Sequence, residues 1–227
     1  MTADIYLKKI EDDYKQRFEE FKNILLDYNN KFNLTAITDE KSIYIKHFCD
    51  SAVGEGYFPE NSKVVEIGSG GGFPSIPLKI LREDLKFTLI ESTGKKCAYL
   101  NDVVDKLKLN CVQVLNARAE DAGKDKNYRE KFDVAVARAV ARLNTLSEYC
   151  LPLVKVGGRF ISYKGDCGEE IEEALKAVKV LGGEIEKVES YLLPDGEKRT
   201  LVVIKKTAHT PVKYPRGQGK ERKSPIV

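Results

Sequence analysis

Between residues 4 and 30, apolar side chains recur every three to five positions, at Ile5, Ile10, Tyr14, Phe18, Phe21, Leu25 and Tyr28. This spacing predicts one long amphipathic helix with a mixed-charge outer face. A second helix is predicted from Glu40 to about Ala52. The pattern then changes to short strand-like runs at 63–67, 86–91, 111–116, 132–137, 158–163, 184–191 and 200–205. Helical stretches at 75–82, 94–107, 144–153 and 168–181 fill most of the gaps, and Asp166 with Glu169 reads as a capping box opening the last of them. Alternating strand and helix predict an α/β fold with a doubly wound, mostly parallel sheet of seven strands. Only the turn LPDGEKR at 193–199 separates the last two strands, so a closing antiparallel hairpin is expected there. Three parts follow: an N-terminal helical extension packed on the core (1–55), a core domain (56–207) and a basic tail (208–227).

The stretch from Lys63 to Pro77, KVVEIGSGGGFPSIP, carries the most chemical information. Val64, Val65, Glu66 and Ile67 form a strand, and Pro74 and Pro77 fall where a helix starts. Gly68, Gly70 and Gly72 therefore sit in a strand-to-helix turn, where a missing Cβ lets backbone approach a ligand. The dinucleotide fingerprint wants its third glycine at the position of Phe73, so that motif fails. The remaining spacing, acidic-x-Gly-x-Gly-x-Gly, resembles the first motif of S-adenosylmethionine-dependent methyltransferases. A turn that merely lets helix and sheet pack closely is the plainer alternative.

Composition narrows the setting. The chain has 227 residues, enough to bury a core without disulfides or metal. Its five cysteines are widely spaced with no CxxC pair, and His47 and His209 are the only imidazoles. No metal site or disulfide framework is expected; buried thiols in a reduced cytoplasm are. No apolar run approaches a membrane span, and the N-terminus MTADIYLKKIEDDYKQ is too charged for a secretory signal. The net charge of +3 decides little, but Lys213, Arg216, Lys220, Arg222 and Lys223 crowd the tail against one acid, Glu221. That run can follow a phosphate backbone or stand as a solvated tail.

In such a sheet, ligands bind beyond the carboxyl ends of the strands. Glu91 closes the second predicted strand, 19 residues after Gly72, where an acid can accept from a ribose diol of either NAD or adenosylmethionine. Ala119, Glu120 and Asp121 follow the third strand, where such groups meet an adenine edge or simply open a helix. Arg138 and Arg142 follow the fourth strand within an apolar run. Neither an Asn/Asp-Pro-Pro-aromatic motif nor a Pro-Cys nucleophile is present there, and no general base stands at that position.

Taken together, the chain resembles the bacterial small-subunit ribosomal RNA methyltransferase G family, also called glucose-inhibited division protein B. The resemblance runs through Asn33-Leu34-Thr35, His47 with Asp50-Ser51, Gly68 to Pro74, and Arg118-Ala119-Glu120. It continues in Arg138-Ala139-Val140-Ala141, Leu151-Pro152-Leu153, Tyr214-Pro215-Arg216 and Lys223-Ser224-Pro225-Ile226. It implies a Rossmann-like class I methyltransferase fold and methylation of guanine N7 in 16S ribosomal RNA, with S-adenosyl-L-methionine as cofactor. It also implies that Gly68, Phe73, Ala119, Glu120 and Arg138 hold the cofactor. Glu66 stands where many relatives carry Asp.

Guanine N7 has an in-plane lone pair and no proton, so neither a nucleophile nor a base is needed. No residue is assigned to the chemical step. Arg138 is the positioning candidate, holding cofactor or guanine O6. The expected cofactor set is Glu66, Gly68, Gly70, Gly72, Phe73, Glu91, Ala119, Glu120 and Arg138. For RNA it is Arg142, His47, Tyr214, Arg216, Lys220 and Lys223, Tyr214 and Arg216 offering a stacking ring and a cation. His47 also reads as a hydrogen-bonded core histidine, which is the preferred reading. The expected partner is 16S RNA or the small subunit, the chain acting as a cytoplasmic monomer. An NAD-dependent dehydrogenase and a non-catalytic ribosome assembly factor are the competing readings.

Overall fold

The computed structural model describes residues 3–227; Met1 and Thr2 of the predicted extension lie outside them. The N-terminal apolar stripe forms α1 (Ala3–Asp13) and α2 (Lys15–Asn29). The predicted single helix is interrupted at Tyr14, whose φ of −126° leaves the helical range. Tyr14 N still donates to Ile10 O, and Tyr14 O still accepts from Phe18 N, so the interruption is a bend. The bend turns the stripe, and Ile5 is left 60 % exposed while Tyr6 and Ile10 are buried.

The second predicted helix contains α3 (Glu40–Ile43), a π-helical turn over Tyr44–Cys49, and α4 (Asp50–Ala52). Asp39 caps its start by accepting from Ser42 N. A π turn shifts the side-chain direction relative to an uninterrupted α-helix, and such turns recur at functional sites. Here it carries Lys46 and His47.

From there the chain alternates: β1 (Lys63–Ile67), α5 (Ser75–Leu81), β2 (Lys86–Glu91), α6 (Gly94–Lys106), β3 (Val112–Asn116), α7 (Ala119–Ala122) and β4 (Phe132–Arg138). Next come α8 (Leu143–Cys150), a 3-10 turn at Leu151–Leu153, β5 (Val154–Lys164), α9 (Gly168–Val180), β6 (Gly183–Leu192), β7 (Lys198–Lys206) and α10 (Lys220–Lys223). The strands form one sheet in the order β3-β2-β1-β4-β5-β7-β6. β1 to β5 are parallel; β7 runs antiparallel to both β5 and β6, giving the expected closing hairpin. Strand order reverses between β1 and β4, which opens the crevice that such sheets use for ligands.

Successive β1 residues face opposite sides, as a pleated strand requires. Val64 joins the core under α1, α2, α5 and α6, while Val65 and Ile67 join the core under α8 and α9. In the first core Phe18 and Phe21 of the extension meet Phe48 at 4.9 and 5.5 Å, and Phe21 also meets Phe73 of the glycine turn at 5.5 Å.

Two further expectations need correcting. Cys167 caps α9 without a side-chain hydrogen bond, so Asp166 and Glu169 form no capping box. Cys111 is exposed, at φ +58° ahead of β3, whereas the other four thiols are buried.

Candidate cofactor cleft and base pocket

β1 delivers Glu66 to the foot of the glycine turn, with no exposed surface at all. Neither of its carboxylate oxygens makes a well-formed hydrogen bond. The buried hydroxyls of Ser69 and Ser75 stand near enough to favour its charge but too poorly aligned to satisfy it, and have no other partner. Burial pushes the Glu66 carboxyl up to about 8, an effect that the nearby Ser75, Arg138 and Ser69 only partly offset. Three buried polar groups lacking partners are costly unless a donor-rich group completes them. An ammonium group has the charge and the three donors to do so.

The turn itself is held from β2. Gly68 N and Ser69 N donate to Ile90 O, and Gly70 N donates to Glu91 Oε2 at 3.1 Å. Glu91 Oε1 accepts from Thr93 N at 2.8 Å. Each oxygen keeps a second lone pair, so Glu91 can brace the turn and still receive a diol. Gly68, Gly70 and Gly72 all have positive φ, the conformation for which glycine is suited. Phe73 packs its ring inward against Phe21, so it supports the turn from behind.

A cleft of about 530 Å³ opens beyond the ends of β1, β2 and β3. Gly68, Ile90, Ala119, Glu120 and Val140 are among the residues that line it. Part of the lining is unforeseen, because Gln218, Gly219, Arg222 and Lys223 come from the C-terminal tail. The residues fit the expected cofactor: an orphaned acid with hydroxyls for an amino-acid ammonium, a second acid for a ribose, and a cleft partly lined by apolar side chains.

A smaller cavity of about 280 Å³ lies past β4 and β5, lined by Ile37, His47, Asp50, Arg138 and Tyr163 among others. Arg138 organises it. Its Nη1 donates to Lys46 O and to Asp50 Oδ2, both at 3.0 Å, and its Nη2 donates to His47 Nδ1 at 2.9 Å. The guanidinium also lies over the Phe73 ring, 4.9 Å from its centroid. Asp50 in turn accepts from Tyr191 Oη at 2.6 Å, and Arg199 approaches it to 3.8 Å. Ala139, next in sequence, takes φ +56° to turn the chain out of β4.

His47 lies stacked on Phe73 with ring centroids 4.3 Å apart. Nδ1 faces two neighbours of opposite demand, Arg138 Nη2 at 2.9 Å and Lys46 O at 3.2 Å. The arginine can only donate and is the shorter contact, which puts the ring proton on Nε2, donating to Thr35 Oγ1 at 2.8 Å. Thr35 Oγ1 also accepts from Ile37 N, and Thr35 N donates to Asn29 Oδ1. Burial first, and the Arg138 charge second, hold the His47 imidazolium down to about 3. The ring is therefore a neutral, hydrogen-bonded core histidine, in line with the preferred reading of the sequence.

Other candidates are placed differently from the sequence reading. Arg142 lines neither cavity and pairs with Glu173 on α9 at 2.6 Å. Tyr214 is 8 % exposed and packs in the second core, so it presents no free ring for stacking. Arg216 grips the buried Glu148 of α8 through Nε and Nη2. Lys220 is exposed, and Lys223 lines the cofactor cleft. Sequence reasoning missed Ser69, Ser75, Gln218 and Gly219, whose roles depend on contacts that carry no local signal. Arg222 stood in view as part of the basic run. Among the described residues no helix is long and apolar enough to cross a membrane, and no cluster of candidate metal ligands occurs.

The family profile described as rRNA small subunit methyltransferase G matches residues 14–202. A ribosomal RNA small subunit methyltransferase G from Brevibacillus brevis is 48 % identical over 220 residues, covering 95 % of this chain and 92 % of that protein. Its counterpart from Lactobacillus acidophilus is 47 % identical over 225 residues, covering 96 % and 93 %. Among solved structures, a SAM-dependent methyltransferase from Aquifex aeolicus superposes with a TM-score of 0.54 at 20 % identity, covering 73 % of this chain and 93 % of that one. A precorrin-6y C5,15-methyltransferase from Geobacter metallireducens gives 0.53 at 13 % identity, covering 69 % and 87 %. Those two likenesses establish the class I methyltransferase fold, and the sequence matches go further: the chain belongs to the ribosomal RNA small subunit methyltransferase G family.

Proposed function

We propose that this enzyme transfers a methyl group from S-adenosyl-L-methionine to N7 of a guanine in 16S ribosomal RNA, in the cytoplasm and as a monomer. Family membership supplies the reaction, and the observation that carries it into the structure is the buried, unpartnered Glu66 beneath the glycine turn. The cofactor brings an electrophilic methyl group on a sulfonium. Glu66, Ser69 and Ser75 receive its ammonium, Glu91 its ribose, and Ala119 with Glu120 its adenine edge.

The pocket around Arg138 takes the base. Guanine N7 attacks with a lone pair that carries no proton, so no group needs to remove one. His47 is accordingly read as a structural group, its Nδ1 lone pair taken up by Arg138 and its Nε2–H donating to Thr35. What the residues contribute is alignment, an effect that can supply roughly 7–11 kcal/mol at best. Arg138 fixes the π turn to the end of β4 and so sets the pocket's shape. A cation beside a purine that gains positive charge is unfavourable, which assigns Arg138 to positioning.

Incubation with methyl-labelled S-adenosylmethionine and either 30S subunits or stripped 16S RNA, followed by mass spectrometry of the nucleosides, tests the reading. Label in 7-methylguanosine is expected, and the better acceptor identifies the assembly stage. Intact cofactor binding without any label in RNA overturns it and leaves a binding role in assembly.

A further inference from the structure

The C-terminal tail does not hang free. It runs as a strap over α7 and α8, fixed at several points. Arg129 donates to Thr210 O and Tyr214 O, and Arg216 holds the buried Glu148. Thr145 Oγ1 donates to Glu221 O at 3.0 Å, and the Glu221 carboxylate, itself without exposed surface, accepts from Gly217 N. The strap ends as a wall of the 530 Å³ cleft.

The charge on that wall is the informative part. The cleft lining contains three cations, Arg118, Arg222 and Lys223, against one acid, Glu120. Among the described residues none of these four forms a salt bridge, whereas Arg216 and Arg142, close in sequence or fold, do. Arg222 and Lys223 are solvent-exposed, with Arg222 against the Tyr149 hydroxyl. The proposed cofactor has no phosphate, and its single carboxylate is already balanced by its own ammonium, so it leaves most of the positive charge on this wall unmatched. A polyanion matches it. The proposed RNA substrate must also reach a methyl donor seated in this cleft, and its phosphates then pass the cleft mouth.

We infer that the strap couples the two substrates: it walls the cofactor cleft and offers Arg222 and Lys223 to RNA phosphates at the mouth, so that each ligand tightens the other. This rests on the function proposed above. The strap's backbone is pinned, but the Arg222 and Lys223 side chains are exposed and held by no ion pair among the described residues, so fixing them for one ligand lowers the cost of fixing them for the other. Coupling between two binding sites is reciprocal.

The test measures the affinity of S-adenosylhomocysteine by calorimetry, alone and with saturating deproteinised 16S RNA, in the wild-type chain and in an Arg222→Gln/Lys223→Gln variant. RNA is expected to tighten the cofactor product about fivefold or more in the wild type, and less than about twofold in the variant. The log–log salt slope of RNA binding should also fall by about 0.7 for each phosphate that the variant no longer neutralises. Equal coupling in the two proteins, or none in the wild type, overturns the inference. Assaying 7-methylguanosine formation by the same wild-type preparation separates the two claims. Methylation without strap-dependent coupling defeats only the coupling. Coupling without methylation defeats only the assigned reaction.

Discussion

Arg138 and His47 share one aromatic ring. The imidazole stacks on Phe73, the guanidinium lies over the same ring, and a 2.9 Å hydrogen bond joins Nη2 to Nδ1. The end of β4, the π turn and the glycine turn thereby meet at one point, so a disturbance of any one of the three reaches the other two.

Protonation of His47 is the simplest disturbance. Its pKa is held to about 3 in the folded protein, against an ordinary value of 6.5. Between those values the unfolded chain binds the proton more readily. This contribution is thus fully present above pH 6.5 and is lost as pH falls toward 3, by about 1.4 kcal/mol per pH unit at most. Urea unfolding at pH 6.5 and 5.0 should show the loss, and a His47→Gln variant should be less stable at neutral pH but lack this component of the slope.

Glu66 acts in the opposite direction. Its carboxyl is raised to about 8 from 4.5, so the folded, ligand-free protein holds the proton that the unfolded chain releases. Stability therefore falls as pH rises from 4.5 to 8. Glu66→Gln should remove that loss and raise the melting temperature of the ligand-free protein at pH 7.5. It should also weaken S-adenosylmethionine at least tenfold, an order-of-magnitude expectation for a lost buried charge-assisted bond. In the wild type, calorimetry in buffers of different ionisation enthalpy should detect a proton released on cofactor binding at pH 6.5.

Removing Arg138 leaves a buried anion. Asp50 is 2 % exposed and keeps Tyr191 as a donor, with Arg199 at 3.8 Å. Breaking a buried pair by deleting one partner costs about 3–5 kcal/mol. Arg138→Ala is expected at the low end of that range by denaturant titration. Arg138→Lys should recover part of the stability but little turnover, because a single ammonium cannot span Lys46 O, Asp50 and His47 in one plane.

Two glycines of the turn should respond differently to alanine. A Cβ on Gly68 would stand 2.7 Å from Val140 Cγ2, whereas one on Gly70 meets nothing closer than Gly68 O at 3.7 Å. Both have positive φ, which costs roughly 1–2 kcal/mol for a non-glycine residue. Gly68→Ala carries the clash as well and should lower the melting temperature more than Gly70→Ala does.

Much of the architecture was legible because strands and helices have different hydrophobic periods. The sheet, its closing hairpin and the glycine turn all follow from short-range pattern. The bend at Tyr14 was not, since the apolar spacing and the flanking hydrogen bonds run through it unbroken. At the site, Glu66 and Glu91 could be placed from their positions at strand ends. The environment of Arg138 could not, because Asp50 lies 88 residues away in sequence. Tyr214 and Arg216 misled for a related reason. Composition marks a basic tail as mobile and available, but Glu148 on α8 supplies a buried carboxylate that Arg216 satisfies. Compensation of that kind depends on a partner no local window contains.

The contact between Phe21 and Phe73 has a consequence for the order in which the molecule is made. Synthesis proceeds from the N-terminus, so α2 leaves the ribosome well before the glycine turn it supports. Phe18 and Phe21 meet Phe48 first, and Phe21 completes its cover only when Phe73 follows. The nascent chain therefore carries this apolar stripe incompletely covered until the glycine turn is made, a window in which a holdase chaperone would find a binding site.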